Sequence, residues 1–323
     1  MINKDLKNTI GQIELTYGKT VTLYERLLDL KIKTGKTADL DKLYADSLSL
    51  LGKQQYSSAA AQLVVLEKQM TDLDQKLAAQ VVIPQNVPVQ NTPPSSGYSR
   101  QTVASDMGQF MVSMVSADLN STRLIVDTAS STDCANDCPA LPLATYVSRN
   151  NAFAGVNGSY FCPPEYPTCA GKTNSFDTLL MNKDKHYFNS DNNVYSVIPA
   201  AIFMGNSSRF VEKSSDWGRD TSVDAVIANH PLLLKDGRIV FGGDSDPKLN
   251  SKSTRSFVGA TGSTVYIGVV HNASVMEMAH VLATLGISSA LNLDDGGSAA
   301  FWSGGYKVGP GRNIPNAVLL IRK

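Results

Sequence analysis

The hydrophobic rhythm of the chain changes twice. From Leu6, apolar and small positions recur at steps of four and three through Ile10, Ile13, Tyr17, Thr20, Tyr24 and Leu27, and a second such run joins Leu63, Leu66, Met70, Leu73 and Leu77. That spacing lays one apolar stripe along a helix. Between the two, "TADLDKLYADSLSLL" reads as a shorter helix capped by Thr37 or Asp39. Residues 1–80 are therefore expected to form a small antiparallel helical bundle or coiled coil. It would serve as a spacer or stalk, with seams equally suited to self-association or to a protein partner.

Residues 81–97, "VVIPQNVPVQNTPPSSG", carry proline, Asn, Gln and Ser, and predict a semi-extended linker. From residue 98 the apolar runs shorten to strand length: "RLIVDTA", "SVIPAAIFM", "DAVIANHPLLL", "TVYIGVV" and "AVLLIRK", punctuated by Gly, Asn, Asp and Pro. One amphipathic helix interrupts them from Val275 to Leu285, with Ser274 as N-cap and Gly286 as its stop. A second lies in "PLATYVSRN" before Asn151. The expected class is α+β, a strand-rich mixed domain over 98–323 preceded by the helical segment.

Charge removes some functions from consideration. The 323 residues carry 29 basic and 29 acidic side chains, so no net field draws the chain to nucleic acid or to an anionic membrane surface. Any charged ligand must be met by local groups. No stretch reaches the length of a membrane span, and "MINKDLKNTIGQ" lacks the basic and apolar regions of a signal peptide.

Four cysteines fall in two close pairs, Cys134 with Cys138 and Cys162 with Cys169. Three connectivities are open, and the two local disulfides are favoured because each pair brackets a short loop. The alternative is a tetrahedral zinc site, against which stand spacers longer than the usual two residues. Disulfides would imply an oxidising, extracellular or cell-envelope setting, with an export signal or anchor removed from this chain.

Three polar clusters break the strands. In "GVNGSYFC", Asn157-Gly158 can turn the backbone through positive φ and leave amides facing a ligand, or simply close a hairpin. In "STRSFVGAT", Arg255 could clamp a phosphate or carboxylate bidentately, or sit solvated at the surface. In "ALNLDDGGSAAFW", two carboxylates and two glycines follow a buried strand, where ligands are often bound. Alternation along extended chain sends Asp294 and Asp295 to opposite faces, so one is the working carboxylate and the other makes structural bonds. Asp177, Asp244 and Asp246 lie in loop-like surroundings compatible with a divalent cation such as calcium.

Taken in order, "NGSYF", "RSFVG", "LNLDDGGS" and "GRNIPNAVLL" resemble the phosphodiester glycosidase family, over roughly Tyr98 to Lys323. The resemblance implies cleavage between a sugar's anomeric carbon and a phosphodiester, on a phosphorylated glycan or glycosyl phosphodiester substrate. It implies Asp294 as the catalytic carboxylate, Arg255 as phosphate clamp and His271 as a candidate acid or base. Asn157, Gly158, Tyr160, Asp295, Gly296, Gly297, Ser298 and Asn316 would line the sugar and phosphate cradle, with Arg312 as a second phosphate ligand. The chain departs from the family's usual Asp-Gly-Gly-Gly-Ser at Asp295, and His271-Asn272 stands where an Asp-Gly-Arg type loop is common. Two other readings compete: a cell-wall glycan-binding module without catalysis, tethered by the helices, and a zinc-stabilised structural module.

Overall fold

The computed structural model describes residues 2–81, 83, 84 and 86–323, the side chains of residues 2–5 excepted. Met1 of the expected helical segment and residues 82 and 85 of the expected linker lie outside the described residues. The chain divides into two compact units, one ending at Val81 but taking in Pro164–Ala170, the other formed by the remainder.

The first unit holds three helices, α1 (Ile2–Lys33), α2 (Ala38–Gly52) and α3 (Tyr56–Ala79). Leu23, Leu27 and Leu30 of α1 pack with Leu40 of α2 and Leu63, Leu66 and Met70 of α3. The stripe on α3 is the one read from the sequence. On α1 the buried line instead runs Thr16, Thr20, Leu23, Leu27 and Leu30, while Tyr17 is 47% exposed. Two threonines can take core positions because their hydroxyls donate to the carbonyls of Gln12 and Thr16, one turn back. Tyr24 moves to the flank, stacked on Tyr44 with ring centres 5.3 Å apart. The Pro164–Ala170 segment is stitched to α1 by hydrogen bonds from the Thr168 hydroxyl and amide to the buried Glu25 carboxylate, and from the Tyr166 hydroxyl to Asp29. Among the described residues, no helix is long and apolar enough to cross a membrane.

The second unit is α+β, built on three antiparallel sheets. The largest runs in the order Gly97–Ser105, Gly108–Asp118, Thr264–Ala273, Ser253–Thr261, Ser289–Asn292, Leu232–Lys235 and Arg238–Ile239. Alternation along these strands feeds two cores. Phe110, Val112, Met114, Phe257 and Ala290 face the helix Val275–Thr284 through Met278, Val281 and Leu282. Val115, Ala117, Val258, Ala260 and Leu291 face the other way, into a core shared with the two five-stranded sheets. A strand buried on both faces reads as a continuous apolar run, which is how "TVYIGVV" appears.

The helix Val275–Thr284 carries a capping box: Ser274 Oγ accepts from the Glu277 amide, and Glu277 Oε2 accepts from the Ser274 amide at 2.7 Å. Gly286, at φ +75°, ends it in the left-handed region, as its position predicts. The "DAVIANHPLLL" run splits into two strands, Ala225–Ala228 and Leu232–Lys235, at Asn229-His230-Pro231. The expected linker is tied down in its second half. Thr102 donates to Pro88 O, Gln90 donates to Thr102 O, and the Asn91 amide bonds both backbone groups of Ala104.

Cys134 and Cys138 are joined by a disulfide. Cys162 and Cys169 are also disulfide-bonded, and no thiol among the described residues is free.

Candidate active site

Two strands from different sheets end side by side. Ser289–Asn292 of the large sheet delivers Leu293, Asp294 and Asp295, and Ala154–Asn157 of a five-stranded sheet delivers Gly158, Ser159 and Tyr160. The Asp294 amide donates to Gly158 O at 2.9 Å, and the Leu293 amide to Ser256 O at 2.9 Å.

Asn157 fastens this junction. It is wholly buried, donates from Nδ2 to Asp294 O at 2.6 Å, and accepts at Oδ1 from the Ser256 hydroxyl at 2.8 Å and the Ala300 amide at 3.1 Å. Wholly buried among these partners, the side chain sets the Asp294 backbone. Gly158 is required for a different reason from the turn read in the sequence. Neither Asn157 nor Gly158 has positive φ, but a Cβ on Gly158 would lie 1.8 Å from Asn316 Oδ1. Asn316, buried like Asn157, accepts from the Ser159 amide at 2.9 Å and donates to the Ser159 hydroxyl at 3.1 Å.

The two aspartates have contrasting surroundings. Asp294 is 8% exposed; its Oδ1 accepts from the Asp295 amide at 2.9 Å, and the Ser298 hydroxyl bonds its carboxylate. Burial and the neighbouring Asp295 charge push the carboxyl up to about 7 against the weaker opposing pull of these bonds and of Arg312. Asp295 instead accepts a hydrogen bond from Arg255 Nη1 at 2.5 Å. Arg255 is 1% exposed, and its Nε donates to Ala273 O while Nη2 donates to Lys248 O and Ser251 O. Those bonds leave at most one of its five N–H groups for a ligand. It is a fixed counter-charge to Asp295 rather than an open fork.

Tyr160 feels the charges of this pair. Its amide donates to Asn229 Oδ1 at 2.9 Å, its phenolic oxygen accepts from Asn292 Nδ2 at 2.6 Å, and its ring lies 5.0 Å from that of His230. Burial, then the charges of Asp295 and Asp294, hold the phenol well above its ordinary range. Gly296, at φ +62°, opens a short 3-10 turn through Ser298. The Ser298 amide is used within it, donating to Asp295 O, while Gly296 and Gly297 precede its internal bonds. Arg312 is half-buried, donates its amide to Gly297 O and acts electrostatically on Asp294.

The structure therefore gathers Asp294, Asp295, Arg255, Asn157, Gly158, Tyr160, Gly296, Gly297, Ser298, Arg312 and Asn316. His271 lies on the strand Thr264–Ala273 next to that of Arg255, with Nε2 3.0 Å from the Ser113 hydroxyl, and burial and Arg100 push the ring down to about 4. A second histidine, His230, which the sequence hid inside an apolar run, reaches the site through its contact with the Tyr160 ring. Burial lowers its pKa against the opposing charges of Asp244, Asp246, Asp177 and Asp295. Asp246 caps the short helix Pro247–Asn250, and among the described residues no grouping of three or more His, Cys, Asp or Glu is arranged to hold a metal ion.

A family model described as phosphodiester glycosidase matches residues 150–321. Among solved structures, the catalytic domain of zebrafish N-acetylglucosamine-1-phosphodiester α-N-acetylglucosaminidase, auto-inhibited by its pro-peptide, aligns with a TM-score of 0.54 at 13% identity, covering 74% of this chain and 87% of that one. At that identity the likeness speaks for the fold. A hypothetical protein from Synechocystis aligns with a TM-score of 0.48 at 14% identity over 70% of this chain, which spans 62% of the length of that one. No curated protein matches the chain by sequence.

Proposed function

The chain belongs to the phosphodiester glycosidase family, and on that premise we propose that it is a hydrolase acting on a sugar-1-phosphodiester to release free sugar and a phosphomonoester. The observation that carries this reading is a buried carboxyl, Asp294, pushed up to about 7 by its burial, beside a second carboxylate, Asp295, paired with Arg255.

A phosphate is a weakly basic leaving group, so the step needs an activated water and stabilised positive charge more than a strong acid. Ionised Asp294 takes a proton from water as its oxygen bonds the anomeric carbon. The bond from that carbon to the phosphate oxygen breaks, with its electron pair leaving on the phosphate. Asp295, paired with Arg255, stabilises the oxocarbenium character between these events. Arg312 and the amides of Gly296 and Gly297 receive the phosphate, while Asn157, Gly158 and Asn316 hold the frame. The disulfides favour an oxidising compartment, hence extracellular or cell-envelope glycoconjugates as substrates.

The test is incubation with a simple alkyl ester of a hexose 1-phosphate, following free sugar and phosphomonoester by NMR. Release of both by wild type, and at least about a hundredfold slower release by Asp294→Asn, is the expected result. Intact diester recovered from a stoichiometric complex would instead favour a glycan-binding module without catalysis.

A further inference from the structure

Tyr160 is held by three contacts, and together they leave its hydroxyl hydrogen unused by the protein among the described residues. The side-chain nitrogen of Asn292 lies 2.6 Å from the phenolic oxygen and 3.1 Å from the His230 carbonyl oxygen. A backbone carbonyl can only accept, so the group facing it must be the NH2 of the amide. That choice settles the other bond as well: Asn292 donates to the phenol, and the phenol must donate its own hydrogen elsewhere. Asn292 is wholly buried and its backbone is itself pinned, with O accepting from Asn229 Nδ2 and N donating to Pro231 O. The Tyr160 main chain is pinned from Asn229 in the same way. Among the described residues no group accepts that hydrogen, and the charges of Asp294 and Asp295 both bear on the phenol.

We propose that Tyr160 is the neutral hydrogen-bond donor that receives the substrate's phosphoryl group beside the two aspartates. This rests on the phosphodiester reading above and adds a residue with a defined task. An anion entering a space bordered by two carboxylates needs a donor that cannot become an anion itself. A phenol kept neutral across the working pH range meets that need. Arg255 is poorly placed for the same work, since four of its five N–H groups are directed at Ala273, Lys248, Ser251 and Asp295. The bond strengthens as negative charge collects on the departing phosphate, without proton transfer. Its effect should fall on kcat more than on KM.

The experiment compares wild type with Tyr160→Phe, which keeps the ring and its contact with His230. With the hexose 1-phosphate ester, kcat is expected to fall roughly a hundredfold to a thousandfold, the loss typical of one donor aimed at developing charge. KM should change little, the pH profile should keep its shape and the melting temperature should stay nearly constant. Equal turnover by the two proteins would overturn the proposal. If wild type itself leaves the ester intact, the phosphodiester reading fails, and binding of inorganic phosphate measured by calorimetry decides this one separately. About tenfold weaker binding by Tyr160→Phe supports it, and equal binding overturns it.

Discussion

Asp294 and Asp295 are neighbours in the chain with opposite electrostatic fates. In the unfolded chain Asp294 loses its proton near 3.8, whereas the folded protein holds it to about 7. Across that interval the folded state binds more protons, so stability falls as pH rises and levels off above 7. Asp294→Asn removes the penalty. Its stability should match wild type near pH 4 and exceed it by a few kcal/mol at pH 8, as read by urea unfolding at both values. A pH-independent difference would mean the carboxyl is not perturbed. Because the ionised form takes the proton from water, wild-type kcat/KM should rise with pH through about 7. Asp294→Asn should lose a hundredfold to ten-thousandfold in rate. Asp295→Asn should cost less activity but more stability, since it leaves the Arg255 charge buried with one fewer counter-charge. At Gly158 the issue is space: a methyl group meets Asn316 Oδ1 at 1.8 Å and Asn316 O at 2.8 Å. Gly158→Ala should fail to give soluble folded protein, and a normal melt would show that Asn316 can move aside.

The elements were legible wherever their signals are local. Ser274, Glu277 and Gly286 announce the two ends of one helix within the helix itself, and the α3 stripe needs no partner to be seen. The α1 stripe was read one position off at Tyr17 and Tyr24, where Thr16 and Leu23 are the buried residues; a threonine that satisfies its own hydroxyl one turn back is a poor advertisement for a core position beside a tyrosine. The site shows the same divide. The Asp294 to Ser298 run stands out in the sequence, whereas the task of Asn157 depends on Ser256, Asp294 and Ala300, each about a hundred residues or more away. His230 was missed for that reason, and Arg255 was read as open because its partner Asp295 lies 40 positions on. Composition marked 81–97 as linker, yet Pro88, Gln90 and Asn91 extend the edge of the first strand. A fragment beginning at residue 87 should therefore keep a cooperative melt, and one beginning at residue 97 should melt at least roughly 2–4 °C lower. Identical melts would show those bonds to be idle, and loss of all structure in both would show that the helices are needed for folding.

For the molecule as a whole, the oxidised cysteines agree with an oxidising compartment. Peptide mapping without reduction should return Cys134 with Cys138 and Cys162 with Cys169; four free thiols would sink that assignment. The position of Asn157 has a further consequence for motion. Catalytic groups are often carried on pliable loops, but here the amide that seats Asp294 also joins the two sheets. The site cannot open without parting the fold. In deuterated solvent the backbone hydrogens of Asp294 and Gly158 should exchange as slowly as those of the central strands, and activity should survive heating until the protein unfolds as a unit.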